Sequence, residues 1–278
     1  MRAALVQLTV GDDPAANLPM TLAAVDRAAA GGADLILTPE CTNILSSSRE
    51  HQNRVLREEH DDPTLAALRD AAARSGRRLL IGSLGLKTGD ADGRFANRSF
   101  LIGPDGAIAA RYDKIHMFDV DVSETERYRE SAAYRPGDRA VLADTPFARI
   151  GMTVCYDLRF PHLYRRLAQA GAEILTVPPA FNHITRAAHW EGLLRARAIE
   201  TGCFVLAPAQ TGQHPEEAGK GRGRRTHGHA LAVAPWGEIL ADAGTEPGVT
   251  FVDLELAQVA RARARVPSLT HDRAFGGP

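Results

Sequence analysis

Short apolar runs alternate along the chain with longer segments in which apolar residues recur every three or four positions. Apolar runs of about 4 to 8 residues predict buried strands, and the longer period predicts amphipathic helices. The predicted strands are 2–10, 35–38, 78–83, 97–102, 107–112, 149–154, 173–177, 203–207, 228–234, 237–241 and 248–253. The predicted helices are 14–30, 63–73, 159–170, 185–200 and 256–263. Turn residues at 103–106 and 235–237 predict two hairpins.

This combination of strand–helix alternation and hairpins predicts an α/β protein with a mixed sheet structure and helices on its outer faces. The 278 residues contain no linker-like composition break and no internal repeat, so they are interpreted as one domain, 1–278, with a C-terminal tail from about 265 to 278. The least regular segments are 41–62, 116–138 and 211–227. The last is polar and rich in glycine, which predicts a surface loop, with a substrate lid as the alternative.

Composition excludes several classes of protein. Hydrophobic residues make up 44% and charged residues 24%, which is typical of a globular chain rather than a disordered one. A formal net charge of −1 provides no general attraction to nucleic acid or to an anionic membrane. No apolar run approaches the roughly 20 residues that cross a bilayer, and the first residues do not resemble a signal peptide. Three widely spaced cysteines argue against a disulfide framework and favour the cytoplasm.

Cys155 is the first candidate for chemistry, because it follows an apolar strand and precedes a helix-like segment. Free backbone amides and partial positive charge at a helix start would favour its thiolate, the nucleophilic form. A small buried apolar side chain is the commoner role of a free cysteine. Cys203 lies inside an apolar strand and is predicted to be structural, and the charge of Glu40 would raise the thiol pKa of Cys41.

Two further candidates, Glu40 and Lys114, also follow predicted strands. A partly buried Glu40 at the end of a strand would have a raised pKa and could move protons near neutral pH. Lys114 could hold a thiolate and stabilise an oxyanion. Taken singly, an exposed loop glutamate and a surface lysine are the commoner interpretations.

No metal or cofactor motif stands out. The sequence has no CxxC, no HExxH and no phosphate-binding glycine loop after a strand. The histidines of His227-Gly228-His229 lack a neighbouring carboxylate or cysteine in the sequence that would complete a ligand set. The sequence therefore predicts no metal and no cofactor.

Taken together, these segments resemble the nitrilase superfamily, the carbon–nitrogen hydrolases, whose signature is a glutamate, a lysine and a cysteine in that order. The resemblance covers nearly the whole chain, and both spacings lie in the family's range. Glu130 matches a second glutamate that is common in the family. The matching motifs are TPE at 38–40, YDKIHMFD at 112–119 and GMTVCYDLRFP at 151–161.

The resemblance implies a four-layer αββα sandwich that usually pairs into a homodimer or a higher homo-oligomer. It also implies that Cys155 attacks an amide carbonyl as a thiolate, while Lys114 and the backbone N–H of Tyr156 hold the oxyanion. Glu40 would accept the thiol proton, protonate the leaving group and activate the water that hydrolyses the thioester. Glu130 would position Lys114 or the substrate.

Substrate class is also suggested by the resemblance. The CYD after the strand is similar to the amidase branches rather than to nitrilases, which typically have CWE there. Segments 112–122 and 207–214 resemble the deaminated glutathione amidases, and ω-amidases share only the first. This implies cleavage of a small carboxylate-bearing amide to an acid and ammonia, with deaminated glutathione as the leading substrate and α-ketoglutaramate or an N-carbamoyl amine as alternatives. The candidate carboxylate-binding cations are Arg159, Arg186 and the arginines of 222–225; Arg159 could instead pair with Asp157.

Two other hypotheses come from outside the family. His162 follows Cys155 closely enough to act as the base of a cysteine–histidine protease or thioesterase, although no motif of those enzymes surrounds the cysteine. A catalytically inactive binding protein is the second, and the presence of Glu40, Lys114 and Cys155 together argues against it.

Overall fold

The computed structural model describes residues 1–121, 127–181, 183–216 and 224–277, with residues 183–188 described as helical backbone only. The strands are β1 (Arg2–Gln7), β2 (Leu35–Leu37), β3 (Arg78–Lys87), β4 (Phe95–Ile102), β5 (Ile108–Asp113), β6 (Asp119–Asp121), β7 (Arg127–Arg129), β8 (Val141–Asp144), β9 (Arg149–Met152), β10 (Ile174–Thr176), β11 (Phe204–Ala207), β12 (Thr211–Gln213), β13 (Arg225–His227), β14 (Leu231–Val233), β15 (Ile239–Asp242) and β16 (Gly248–Asp253). The helices are α1 (Pro14–Ala30), α2 (Arg49–Val55), α3 (Pro63–Ser75), α4 (Pro161–Gln169), α5 (His183–Thr201) and α6 (Ala257–Arg265).

Two six-stranded sheets form the centre of the molecule, in the orders β16-β1-β2-β3-β4-β5 and β15-β14-β11-β10-β9-β8. In the first sheet β1, β2 and β3 are parallel, and in the second β9, β10 and β11 are parallel. The outer strands of both sheets are antiparallel. The carboxyl ends of the parallel strands are therefore the ends at which a site is expected to form.

Side-chain alternation along β1 shows how the layers pack. Ala3 and Leu5 belong to the apolar core that joins the two sheets, whereas Ala4 and Val6 pack with residues of α1 and α3. Both faces of the strand are thus buried, as in parallel strands covered on both sides. On the second sheet, α4 contacts β9, and α5 contacts β11 and β14. The predicted αββα sandwich is confirmed.

Helix starts follow the local sequence. Asp13 caps α1 by accepting a hydrogen bond from the Ala15 N–H, and Pro14 occupies the first turn. Asp62 caps α3 in the same way through the Leu65 N–H. These caps explain why both helices begin at the residues predicted from the sequence, Pro14 and Pro63.

The predicted irregular segments contain more structure than their sequences indicate. Segment 41–62 includes α2, 116–138 includes the β6–β7 pair, and 211–227 includes the β12–β13 pair. The helix predicted from 159 begins at Pro161, because Cys155–Arg159 forms a 3₁₀ helix first. In the described part of the chain, no helix combines the length and apolarity that a membrane crossing needs.

Candidate active site

The carboxyl ends of β2 and β9 bring Glu40 and Cys155 from facing sheets to one cavity. Lys114 enters the same cavity directly after β5, and Glu130 enters it from a short 3₁₀ helix. The cavity has a volume of about 280 Å³. The structure therefore brings together the four side chains that the sequence analysis selected.

Lys114 is the centre of a buried charge cluster. Its Nζ donates to Glu40 Oε1 at 3.0 Å and to Glu130 Oε1 and Oε2 at 2.9 and 2.8 Å. The lysine side chain is 2% exposed. A buried ammonium held by two carboxylates is paired and fixed in position, as a buried cation requires.

The remaining lone pairs of Glu40 are also occupied. Asn97 Nδ2 donates to Glu40 Oε1 at 2.9 Å, and the Ala180 N–H donates to Oε2 at 2.7 Å. Neither residue was selected from the sequence. A signal for Asn97 exists, since it is a polar residue inside the apolar strand β4, where asparagine is disfavoured. Ala180 has no such signal, because it acts through its backbone.

Electrostatics determine the resting protonation states. Burial pushes the pKa of Glu40 upward, but Lys114, Arg224, the Cys155 thiol and the Ala180 N–H together hold it below its ordinary value. Burial lowers the pKa of Lys114, and the Glu130 and Glu40 carboxylates outweigh it and raise that pKa well above the ordinary value. The raised pKa predicted for Glu40 is therefore wrong, because the cations that surround it were not visible in the sequence.

Cys155 is a protonated thiol in this state. Burial and the nearby Glu40 carboxylate raise the thiol pKa well above its ordinary value, against the opposing charges of Lys114 and Arg224. The thiolate expected from a helix start is therefore not the resting form. The partial positive charge of a short 3₁₀ helix stabilises the thiolate less than burial and the Glu40 charge destabilise it. Hydrogen bonding to the Glu40 carboxylate also raises the thiol pKa.

The backbone at Cys155 is strained, with φ of +48° in a residue that is not glycine. Its N–H donates to the Pro178 carbonyl at 3.1 Å, which holds the turn from the neighbouring loop. In the 3₁₀ helix the first internal hydrogen bond runs from the Asp157 N–H to the Val154 carbonyl. The helix itself thus leaves the N–H of Tyr156 unpaired, and Tyr156 lines the cavity.

The Asp157 carboxylate holds this turn in place. It is fully buried and accepts hydrogen bonds from the Tyr112 hydroxyl at 2.6 Å, the Val154 N–H at 2.9 Å and the His116 N–H at 3.0 Å. The suggested Asp157–Arg159 pair is therefore wrong. The carboxylate thus links Val154, the residue before the cysteine, to Tyr112 of β5 and to His116 just after that strand.

The candidate cations separate clearly. The Arg159 guanidinium lies 3.3 Å from His189 Nδ1 and 5.5 Å from the Phe181 ring, and it does not line the cavity. The Arg186 side chain and the whole of Arg222 lie outside the described residues. Arg224 lines the cavity, whereas Arg225 is exposed.

The cysteine–histidine hypothesis lacks its geometry. His162 is exposed, does not line the cavity and packs near Phe160 and His116. Of the other cysteines, Cys203 is buried in the core and donates to the Ala172 carbonyl. Cys41 lines the cavity, and burial together with Glu40 raises its thiol pKa.

Gly82 permits the close approach that positions Glu40. A Cβ at this position would lie 2.2 Å from the Thr38 carbonyl oxygen and 2.5 Å from the Pro39 backbone. Only a residue without a side chain lets β3 pass this close to the segment that leads from β2 to Glu40.

Gly82→Ala is expected to lower kcat about tenfold or more, because the added methyl displaces the backbone that carries Glu40. Stability should also fall by about 1–3 kcal/mol. Steady-state kinetics and thermal unfolding measure the two effects. Gly248→Ala is the matched control, since an added Cβ in this strand meets nothing within 4 Å. Equal activities of the two variants would contradict this role of Gly82.

Comparison with known proteins places this geometry in a family. Residues 2–264 match the family model described as carbon-nitrogen hydrolase. The chain is 40% identical over 272 residues to a deaminated glutathione amidase of Yersinia enterocolitica, covering 97% of this chain and 92% of that protein. It is 34% identical to omega-amidase NIT2 of Homo sapiens, covering 98% and 95% of the two chains.

A solved structure gives the same result. The NitFhit protein of C. elegans superposes with a TM-score of 0.88 and 31% sequence identity. The match covers 98% of this chain and 65% of that one. This chain belongs to the carbon–nitrogen hydrolase family.

Proposed function

We propose that this carbon–nitrogen hydrolase is an amidase that cleaves a small carboxylate-bearing amide through a thioester on Cys155, with deaminated glutathione as its leading substrate. The observation that carries the proposal is the buried Glu40 carboxylate, which is bonded at once to the charged Lys114 and to the Cys155 thiol. A base, a cation and a latent nucleophile in contact are the parts that acyl transfer needs.

In the first half of the reaction, Glu40 accepts the thiol proton as the sulfur bonds to the amide carbonyl carbon. Negative charge then moves to the carbonyl oxygen, which Lys114 Nζ and the Tyr156 N–H stabilise. When the carbon–nitrogen bond breaks, Glu40 returns its proton to the leaving nitrogen. The products are a free amine or ammonia and a thioester on Cys155.

In the second half, water replaces the leaving group. Glu40 accepts a proton from the water as its oxygen attacks the thioester carbon, and the carbon–sulfur bond breaks when the tetrahedral adduct collapses. The proton on Glu40 passes to the departing thiolate, which restores the resting state. Glu130 acts as a positioning residue, because both of its oxygens hold Lys114 while Glu40 changes its charge.

The leaving group depends on the substrate. A primary amide such as α-ketoglutaramate releases ammonia, and an N-carbamoyl amine releases ammonia together with CO₂. Deaminated glutathione has secondary amides, so its hydrolysis frees an amine rather than the ammonia that the resemblance implied. The similarity of this chain to deaminated glutathione amidases supports deaminated glutathione as the substrate. Its similarity to omega-amidases supports α-ketoglutaramate as the second candidate.

The test compares kcat/KM for deaminated glutathione, α-ketoglutaramate and an N-carbamoyl amine, with Cys155→Ala as the blank. The assays measure freed amine, ammonia, and ammonia with CO₂, respectively. Highest kcat/KM for deaminated glutathione supports the leading substrate. Preference for either of the others moves the assignment to a neighbouring activity, and no Cys155-dependent hydrolysis of any amide overturns the proposal.

The pH dependence of kcat/KM follows from the resting protonation states. The reactive form needs an ionised Glu40, whose pKa lies below its ordinary 4.5, and a thiol whose pKa lies above its ordinary 9.0. Activity should therefore be nearly constant from about pH 5.5 to 8.5, fall as acid protonates Glu40, and change again only at alkaline pH. Rates in a constant-ionic-strength buffer series measure this. An acid limb centred near pH 7 would contradict an ionised Glu40.

A further inference from the structure

Arg224 is a half-buried cation on the wall of the active-site cavity, with few partners among the described residues. Its Nη2 donates to the Ala180 carbonyl, and its guanidinium carbon lies 5.5 Å from the centre of the Tyr128 ring. Its Nε is buried and has no hydrogen-bond partner among the described residues. The one hydrogen bond that it donates to the described residues is a small fraction of the five that a guanidinium can donate.

This shortage is unusual for a guanidinium whose Nε is shielded from solvent. Removing a guanidinium from water is costly unless an anion or several acceptors replace the water. Across the described part of the chain, no carboxylate lies within ion-pair distance of Arg224, since Glu40 and Glu130 are both bonded to Lys114. An unmet buried donor of this kind calls for a partner that arrives from outside.

The other arginines that line the cavity differ from Arg224. Arg49 donates to the carbonyls of Ala132 and Gly93, and Arg129 pairs with Asp121 at 2.7 Å. Arg127 lies 3.8 Å from the same aspartate. All three are exposed and can be satisfied by solvent. Among the described residues that line the cavity, Arg224 is thus the arginine with a buried nitrogen that lacks an acceptor.

Arg224 is also fixed close to the reacting groups. The peptide of Ala180 donates its N–H to Glu40 Oε2 and accepts Arg224 at its carbonyl oxygen, so one residue connects the base to the guanidinium. The Arg224 charge acts on both Glu40 and Cys155 and helps to lower their pKa values. A group bound to Arg224 therefore lies within a short chain length of the bond that Cys155 attacks.

We propose that Arg224 binds the carboxylate of the substrate and selects amides of short-chain carboxylic acids over uncharged amides of the same length. The planar guanidinium matches a carboxylate in shape and charge, and two N–H···O bonds would satisfy the donors that the protein leaves open. This inference rests on the proposed amidase function and identifies the residue that gives it substrate selectivity.

The kinetic test uses glutaramate and pentanamide, two amides of the same chain length. Glutaramate ends in a carboxylate, and pentanamide ends in a methyl group. In Arg224→Met, kcat/KM for glutaramate should fall roughly 100-fold, and the glutaramate-to-pentanamide ratio should fall at least about tenfold. Arg224→Lys keeps the charge but loses the planar guanidinium with its paired donors. It should keep the pH profile and give a glutaramate-to-pentanamide ratio between those of the original protein and Arg224→Met. Arg225→Met, which removes the neighbouring exposed charge, should change neither substrate.

A binding experiment separates this inference from the amidase proposal. Glutarate is titrated calorimetrically into Cys155→Ala protein, which cannot turn over, with and without Arg224→Met. Loss of glutarate binding when Arg224 is replaced by methionine supports the inference even if no amide is hydrolysed. Unchanged glutarate binding in the Arg224→Met protein, or equal loss of kcat/KM for both amides, would overturn it while leaving Cys155-dependent hydrolysis intact.

Discussion

Replacement of Cys155 by serine is expected to lower kcat by about 10³-fold or more, with little change in fold. The substitution changes one atom, but an alcohol holds its proton far more tightly than a thiol. Glu40, whose pKa is held low by Lys114 and Arg224, is too weak a base to remove that proton. Steady-state rates with the preferred amide, together with thermal unfolding, measure the two properties.

Cys203→Ser is the matched control for the cysteine substitution. It makes the same atomic change at a buried thiol in the core, away from the cavity. It should retain kcat even if it costs stability, because its sulfur donates to the Ala172 and Thr201 carbonyls and accepts from Arg263, none of which lines the cavity. A Cys155→Ser protein with kcat within tenfold of the original would exclude the thioester route.

Glu40→Gln should lower kcat by about 10³- to 10⁴-fold, the range that a positioned acid–base group contributes. The amide has the same shape but cannot carry the proton between sulfur, leaving nitrogen and water. The same change should make the Cys155 thiol more acidic, because the Glu40 charge and hydrogen bond both raise its pKa. Hydrolysis is thus expected to become slower while alkylation of Cys155 at fixed pH becomes faster.

Two rates are therefore measured on the Glu40→Gln protein: amide turnover, and iodoacetamide labelling of the Cys155 peptide by mass spectrometry. Labelling of the Cys41 and Cys203 peptides serves as the internal reference. Slower turnover with slower labelling would indicate a displaced cysteine rather than a missing base. Turnover within tenfold of the original would remove Glu40 from the reaction.

Much of the fold could be predicted because apolar alternation reports burial directly. The strand and helix centres match, and Glu40, Lys114 and Cys155, each of which follows a strand, were selected together through the resemblance to the carbon–nitrogen hydrolases. The helix α2 was missed, as were the two short strand pairs, because seven or fewer residues of mainly polar sequence carry no clear period.

The partners within the site could not be predicted, because they come from distant parts of the chain. Asp157 accepts from Tyr112 and His116, whereas sequence proximity suggested Arg159. Arg224 reaches the cavity from the end of a segment whose composition indicates only a surface loop. The pKa directions of Glu40 and Cys155 depend on these same neighbours, so they became visible only with the packed structure.

The reacting groups are divided between the two sheets. Glu40, Asn97 and Lys114 belong to one sheet, while Cys155 and Ala180 follow strands of the other. Hydrogen bonds join the two sheets here, from the Ala180 N–H to Glu40 and from the Tyr112 hydroxyl to Asp157. The position of Glu40 relative to Cys155 therefore depends on how the two sheets pack against each other. A substitution in their shared apolar core is expected to change the rate of proton transfer if it changes the spacing of the sheets.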